Sequence, residues 1–210
     1  RRLTPRECER LQGFPDDYRF DDMVYGRALR TPYPRARVDR IDISKALEHP
    51  DCIAVLTATD VPNNKIGHLI PDWDVMIPQG EITRYIGDAV ALVATGKRES
   101  LQEVLDLIEV DYTVLEPVLD PFEAMKDGAP RIHEKGNILS SERLVRGDAH
   151  KAVREAAHVV TETYRVSWQE HAFLEPECAI AWPAEDGGVH LITASQSIYD
   201  EQREISMMLK

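Results

Sequence analysis

The stretch "WQEHAFLEPE" brings Gln169, Glu170, His171, Glu175 and Glu177 within one short reach. An imidazole among carboxylates can ligate a metal or move a proton. The spacing builds neither: no second histidine stands one helical turn away, and an extended backbone sends neighbouring side chains to opposite faces. His171 and Glu175 therefore read as buried hydrogen-bonding groups at a domain surface. "TRYIGDAVALV" offers Gly87, but Gly87-Asp88 leads straight into strand-type residues, whereas a phosphate loop needs a glycine-rich turn opening a helix. Gly87 is expected at a bend or a close backbone approach. Arg84 and Asp88 read as solvated or locally paired, and Glu109, Asp111 and Glu116 as a charged sheet rim, since nothing shows two of these carboxylates converging. Cys8, Cys52 and Cys178 stand far apart and form neither a CxxC pair nor a disulfide framework. A reducing, cytoplasmic setting is the default, and a local four-cysteine zinc or iron–sulfur site is excluded.

The elements that would position these residues follow from the apolar pattern. "CIAVLTATDV" and "DAVALVATG" are short runs rich in Val, Ile and Leu and read as buried strands. Between them, Pro62 to Gly80 is a long, aperiodic excursion. Leu101, Val104, Leu105 and Ile108 have the spacing of a helix with one buried face, and "VDYTVLEPV" returns to strand character. Strand, helix and strand in this order predict a layered α/β unit in which mixed strand directions are allowed. Asp120 to Ala129 offers a further short helix, and Gly128 to Gly147 a connector. Beyond it, Asp148 caps a helix carrying Ala152, Val153 and Ala156, followed by a strand from Val160 to Val166. "CAIAWPAEDGGVHLITAS" reads as two strands around an Asp-Gly-Gly turn, and Ile205, Met208 and Leu209 mark a helix at the chain end.

The first twenty residues differ in character. Thr4-Pro5-Arg6-Glu7 forms a capping box with proline at the first helical position, so a helix is expected from Thr4 to Gly13, with Leu11 and Cys8 facing inward. Glu7, Glu9, Asp16 and Asp17 offset the arginines of this stretch, which leaves no basic patch. The whole chain has a formal net charge of −12 over 210 residues, against nonspecific binding to nucleic acid or an anionic membrane. DNA binding is not expected. No run has the length and apolarity of a membrane span.

From Asp21 onward the wording resembles a known family. "DDMVYGRALRTPYPRARVDRIDISKALEHPDCIAVLTATDVP", then "RYIGDAVALVATG", "IEVDYTVLEPV", "EHAFLEPECAIA" and "ASQS", is similar to the large molybdenum-binding subunit of xanthine dehydrogenases and aldehyde oxidases. The resemblance implies an α/β (α+β) fold: a hammerhead-like mixed sheet with packed helices over 21–130, a connector over 131–147, and the incomplete start of a molybdopterin-binding domain over 148–210. It implies that Gln196 in "TASQS" approaches an oxygen ligand of molybdenum, where a neutral amide donates a hydrogen bond without adding charge. His171, Glu175 and Pro176 match the family's "EHAFLEPE"-like segment and would support the fold near the cofactor. Thr31-Pro32-Tyr33-Pro34-Arg35-Ala36 stands where the family has "SPHPHA"-like wording, so a role resting on those histidines does not carry over.

The implied parent is a hydroxylase of a purine, heteroaromatic or aldehyde small-molecule substrate. Its cofactor would be molybdenum–molybdopterin, with iron–sulfur clusters and FAD in partner domains or subunits. Its partners would include the rest of the molybdenum-binding domain. The family's "GGGFGG"-type loop and its later catalytic glutamate are not in this sequence, so the fragment alone is expected to be inactive and to hold no cofactor stably. Residues 1–20, "LTPRECERLQGFPDDY" above all, are similar to a segment near the C-terminal end of DNA cytosine-5 methyltransferases, without that family's Pro-Cys nucleophile or glycine-rich loop. Three readings follow: part of a molybdenum hydroxylase, a noncatalytic interaction module built on the hammerhead fold, and a fragment of a DNA methyltransferase.

Overall fold

In chain order the elements are β1 (Tyr25–Arg30), β2 (Ala36–Asp42), α1 (Ser44–Leu47), β3 (Cys52–Leu56), β4 (Lys65–Ile66), β5 (Trp73–Asp74), β6 (Ala89–Thr95), α2 (Leu101–Asp106), β7 (Glu109–Val114), α3 (Pro121–Ala124), α4 (Ala149–Glu155), β8 (Ala179–Pro183), β9 (Val189–Thr193) and α5 (Ile198–Met208). They come from a computed structural model that describes residues 23–167, 169 and 177–210. The expected helix from Thr4 to Gly13 lies outside the described residues, as do His171, Glu175 and Pro176.

The apolar run of β6 makes it the centre of a three-stranded antiparallel sheet in the order β1-β6-β3, with Val93 opposite both Arg27 and Val55. Although β6, α2 and β7 follow one another, β7 does not pair with β6. It pairs antiparallel with β2, placing Tyr112 opposite Val38. The two N-terminal strands are thus divided between two ladders, and every strand pairing among the described residues is antiparallel.

Side chains from both ladders close the core. Val55, Ala91 and Val93 pack with Ala46 of α1 and with Val104, Leu105 and Ile108 around α2, as the helical spacing requires. Val38, Ile77 and Val90 form a second cluster, and Leu29, Ile41 and Val110 touch both. β6 contributes to each cluster and is buried as expected. β3 is not: it is an edge strand, and Ile53 remains 57% and Leu56 38% exposed because only one of its faces meets the helices.

The excursion from Pro62 to Gly80 is irregular but tied down. Asn64 donates from Nδ2 to the Met76 carbonyl (2.7 Å) and accepts from the Met76 N–H (3.0 Å), and the next residue, Ile77, donates its N–H to Ala89 of β6 (2.7 Å). α3 starts at Asp120, whose carboxylate accepts from the N–H groups of Phe122 and Glu123.

Beyond the connector Asp148 caps α4 by accepting from the Lys151 N–H (2.8 Å), yet no residue of that helix is buried. The strand expected from Val160 to Val166 does not form. These residues are exposed, Val160 at 84% and Val166 at 95%. Alternating apolar residues make a strand only where a neighbouring strand and an apolar surface complete it, and among the described residues none pairs here. β8 and β9 form the expected hairpin around the Asp-Gly-Gly turn, with Gly187 at φ +84° and Trp182 stacked on His190 across the ladder.

Candidate functional site

Gln196 lies in the turn between β9 and α5, with its side chain exposed. The turn is made by its two serine neighbours. The Ser197 N–H donates to Ser195 Oγ (3.0 Å), and Ser197 Oγ–H donates to Asp200 Oδ2 (2.6 Å) at the first turn of the helix. The Glu201 N–H then donates to the Ser197 carbonyl (3.1 Å) as the helix begins. Among the described residues no group pairs with the Gln196 amide. It borders an open cavity of about 590 Å³ lined by Glu177, Cys178, Thr193, Ser195 and Glu201 among others. Glu177 of the "WQEHAFLEPE" stretch therefore shares a cavity with Gln196. Gln169 is exposed elsewhere on the chain, and the remaining members of that stretch lie outside the described residues.

Asp200 is the electrostatic centre of the turn. The Ser197 hydroxyl holds its carboxyl below the ordinary aspartate range, against an opposing effect of partial burial that outweighs either of the further lowering contributions of His68 and Arg203. His68 Nδ1 stands 3.4 Å and Arg203 Nη2 3.0 Å from Asp200 Oδ1. At the far end of the helix the Asn63 N–H donates to the Met208 carbonyl (3.0 Å) and its Nδ2 to the Met207 carbonyl (2.9 Å). Ser197, Asp200, Arg203, His68 and Asn63 are not singled out by the residue patterns above. The Ser197-x-x-Asp200 spacing is a readable helix-start signature, but its link to His68 and Asn63 is purely tertiary.

The other candidate residues are structural. Gly87 sits at φ +103° and donates its N–H to the Thr31 carbonyl (2.9 Å), a close approach in a bend as expected. Asp88 is paired locally but is not solvated: it is 2% exposed and accepts from the N–H groups of Arg84 (2.6 Å) and Tyr85 (3.3 Å). Arg84 pairs with Asp74 (2.7 Å), which also meets Lys65 (2.8 Å). Glu109 and Asp111 form the expected charged rim, Glu109 with Lys45 and Asp111 with Arg40. Among the described residues no group of three or more His, Cys, Asp or Glu converges as a metal site, and no helix is long and apolar enough to cross a membrane.

What the Gln196 turn can do is present a neutral donor and acceptor into an open cavity. An uncharged amide with no partner among the described residues suits an oxygen ligand of a metal cofactor, to which it adds hydrogen bonding and no charge. The residues present fit one side of such a group.

Residues 12–116 match the aldehyde oxidase and xanthine dehydrogenase a/b hammerhead domain, and residues 132–210 match the molybdopterin cofactor-binding domain. The hammerhead match begins inside the methyltransferase-like prefix, and neither of these families, nor any of the similar proteins from Bacillus subtilis, Eubacterium barkeri and Desulfovibrio gigas, is a methyltransferase. The chain is 35% identical over 191 residues to a probable xanthine dehydrogenase subunit of Bacillus subtilis, covering 90% of this chain and 25% of that protein. It is 32% identical over 197 residues to the nicotinate dehydrogenase large molybdopterin subunit of Eubacterium barkeri, covering 93% and 46%. The fold superimposes on the aldehyde oxidoreductase of Desulfovibrio gigas with a TM-score of 0.81 at 22% identity, covering 90% of this chain and 22% of that one. The chain thus spans between a quarter and just under half of the length of these curated relatives. With a hammerhead domain followed by molybdopterin-binding sequence in one chain, it belongs to the aldehyde oxidase and xanthine dehydrogenase family.

Proposed function

We propose that this chain is part of the molybdenum-binding subunit of a hydroxylase that oxidatively hydroxylates a purine, heteroaromatic or aldehyde substrate. Iron–sulfur and flavin domains or subunits would pass the electrons on. The observation that carries the reading is the order of the two domain matches along one chain, with Gln196 on the turn where the second domain opens a cavity. The relatives' names support the substrate range: one is a probable xanthine dehydrogenase subunit, the other a nicotinate dehydrogenase subunit. The division into a hammerhead unit over 21–130, a connector over 131–147 and molybdopterin-binding sequence over 148–210 belongs to this proposal. So does a supporting role for His171, Glu175 and Pro176, and so does a cytoplasmic setting, for which the free thiols of Cys52 and Cys178 speak.

When bound, the molybdenum cofactor supplies the two-electron oxidation, which protein side chains cannot. Gln196 contributes an amide N–H donor that polarises and orients without ionising at any working pH. Ser195 and Ser197 hold the turn that carries it, so the backbone from which the donor extends is fixed before the reaction.

The test is Gln196→Leu in the intact parent enzyme, which keeps approximate side-chain size and removes the hydrogen bond. kcat/KM per bound molybdenum is expected to fall by about 10- to 100-fold, the range for groups that tune a metal's ligands, while molybdenum content changes less. Unchanged activity per molybdenum would sink the assignment of Gln196.

A further inference from the structure

We propose that the hammerhead excursion sets the position of Gln196 through a polar clamp on α5, with Asn63 holding one end of the helix and a His68–Arg203–Asp200 group the other. The inference rests on the reading of Gln196 given above. It makes Asn63 and Asp200 positioning residues, since neither touches the reacting atoms.

α5 has no buried residue. A helix held by packing is oriented by its apolar face; this one leaves Ile198 at 68% and Tyr199 at 80% exposure and only half-buries Ile205, Met207 and Met208, so polar contacts carry much of its placement against the hammerhead. At its C-terminal end Asn63 satisfies two carbonyls, those of Met207 and Met208, that the helix itself leaves without partners. The adjacent Asn64 is bonded on both sides of its amide to Met76, next to the core residue Ile77. The clamp is therefore grounded in the hammerhead core.

At the N-terminal end, Arg203 Nη2 reaches the His68 carbonyl (3.4 Å) as well as Asp200, and Asp200 faces His68 Nδ1. The other oxygen of Asp200 accepts from Ser197, which in turn bonds Ser195, so the contacts run from His68 to both neighbours of Gln196. The bend carrying His68 is itself fixed. A Cβ on Gly67 would collide with the Ile70 carbonyl oxygen, so only glycine lets this backbone close.

The experiment is a double-mutant cycle in the molybdenum-loaded parent enzyme, with Asp200→Ala and Asn63→Ala each made beside Gln196 and beside Gln196→Leu. Each is expected to lower kcat/KM per bound molybdenum by about fivefold beside Gln196 and by under about twofold beside Gln196→Leu, as for residues acting through one another. Amide hydrogen exchange on the same full-length protein gives a readout independent of turnover. The peptide over 194–201 should exchange about tenfold faster in Asp200→Ala, with β6 unchanged as the folding control. Asp200→Asn, which keeps an oxygen to accept from Ser197, should restore much of that protection. Equal activity losses in both backgrounds, or unchanged exchange over 194–201, would overturn the clamp. If Gln196→Leu alone costs nothing, the Gln196 reading fails while the exchange result still decides the clamp.

Discussion

The hammerhead region and the segment beyond the connector are made of similar residues and fold on different terms. Every buried residue among those described lies between Thr31 and Ile108. In α4, β8, β9 and α5 none is buried, and Val160, Tyr164, Val166 and Tyr199 are each at least 80% exposed. The first region offsets the entropy of ordering its chain with a core of its own. Among its described residues the second has secondary structure without such a core. Hydrogen bonds of the β8–β9 ladder and the clamp on α5 give it local order. Its described apolar residues are at most half-buried and lack the full cover that turns local order into stability.

The sharpest way to break this contrast is to remove equivalent methyl groups from the two regions. Ile77 is 1% exposed and joins the Val38–Val90 cluster. Ile77→Ala should cost about 2–5 kcal/mol in urea denaturation, through lost burial and the cavity left behind. Ile198→Ala should stay within about 0.5 kcal/mol of the parent chain. Equal costs would mean that the second region buries its apolar residues after all.

A smaller effect separates buried from exposed carboxylates. Asp88 accepts two backbone N–H groups in a site almost closed to water. Asp88→Ala leaves both donors without this partner and should lower hammerhead stability by about 1–3 kcal/mol. Asp148→Ala removes the cap of α4, worth about 1 kcal/mol to that helix, but the hammerhead unfolding midpoint should not move. A shift of that midpoint in Asp148→Ala would show that the two regions unfold together.

The same division decides what the sequence discloses. β6 and α2 are legible because their own residues carry the apolar pattern. β1 and β2 are not: Arg27, Arg30, Arg37 and Arg40 interrupt them, and their burial comes from strands far along the chain. The strand expected at Val160 to Val166 fails for the converse reason, since alternation describes the residues and says nothing of a partner. Charge is usually exposed, so the sequence points to a solvated or locally paired Asp88; it is locally paired, but the Gly87 bend folds it inward over the N–H groups of Arg84 and Tyr85 rather than into solvent. At the candidate site Gln196 is reached through the family wording, and Ser197 with Asp200 could be read as a helix start. Asn63 could not be read at all, because its bond to Met207 spans 144 residues.

The smallest expected effect is on acid stability, and it tests whether the regions titrate separately. Asp51 accepts from Lys97 Nζ (2.7 Å) and Ser100 Oγ (2.6 Å), and these two bonds, the lysine's first, hold its carboxyl below the ordinary aspartate range. Asp200 is held low chiefly by the Ser197 hydroxyl. For both, the folded-state pKa lies below the unfolded one. Their contribution is therefore complete above the ordinary aspartate range and is lost as pH falls below about 4 and on through the lower folded value. Both carboxylates meet solvent, so salt should weaken the effect. Asp51→Asn should flatten the acid side of the hammerhead stability profile and leave protection over 194–201 unchanged. Asp200→Asn should do the reverse, removing the acid-dependent loss of protection at the Gln196 turn with no change in the hammerhead midpoint. If either substitution moves both readouts, the clamp transmits protonation between the regions, and their independence ends at α5.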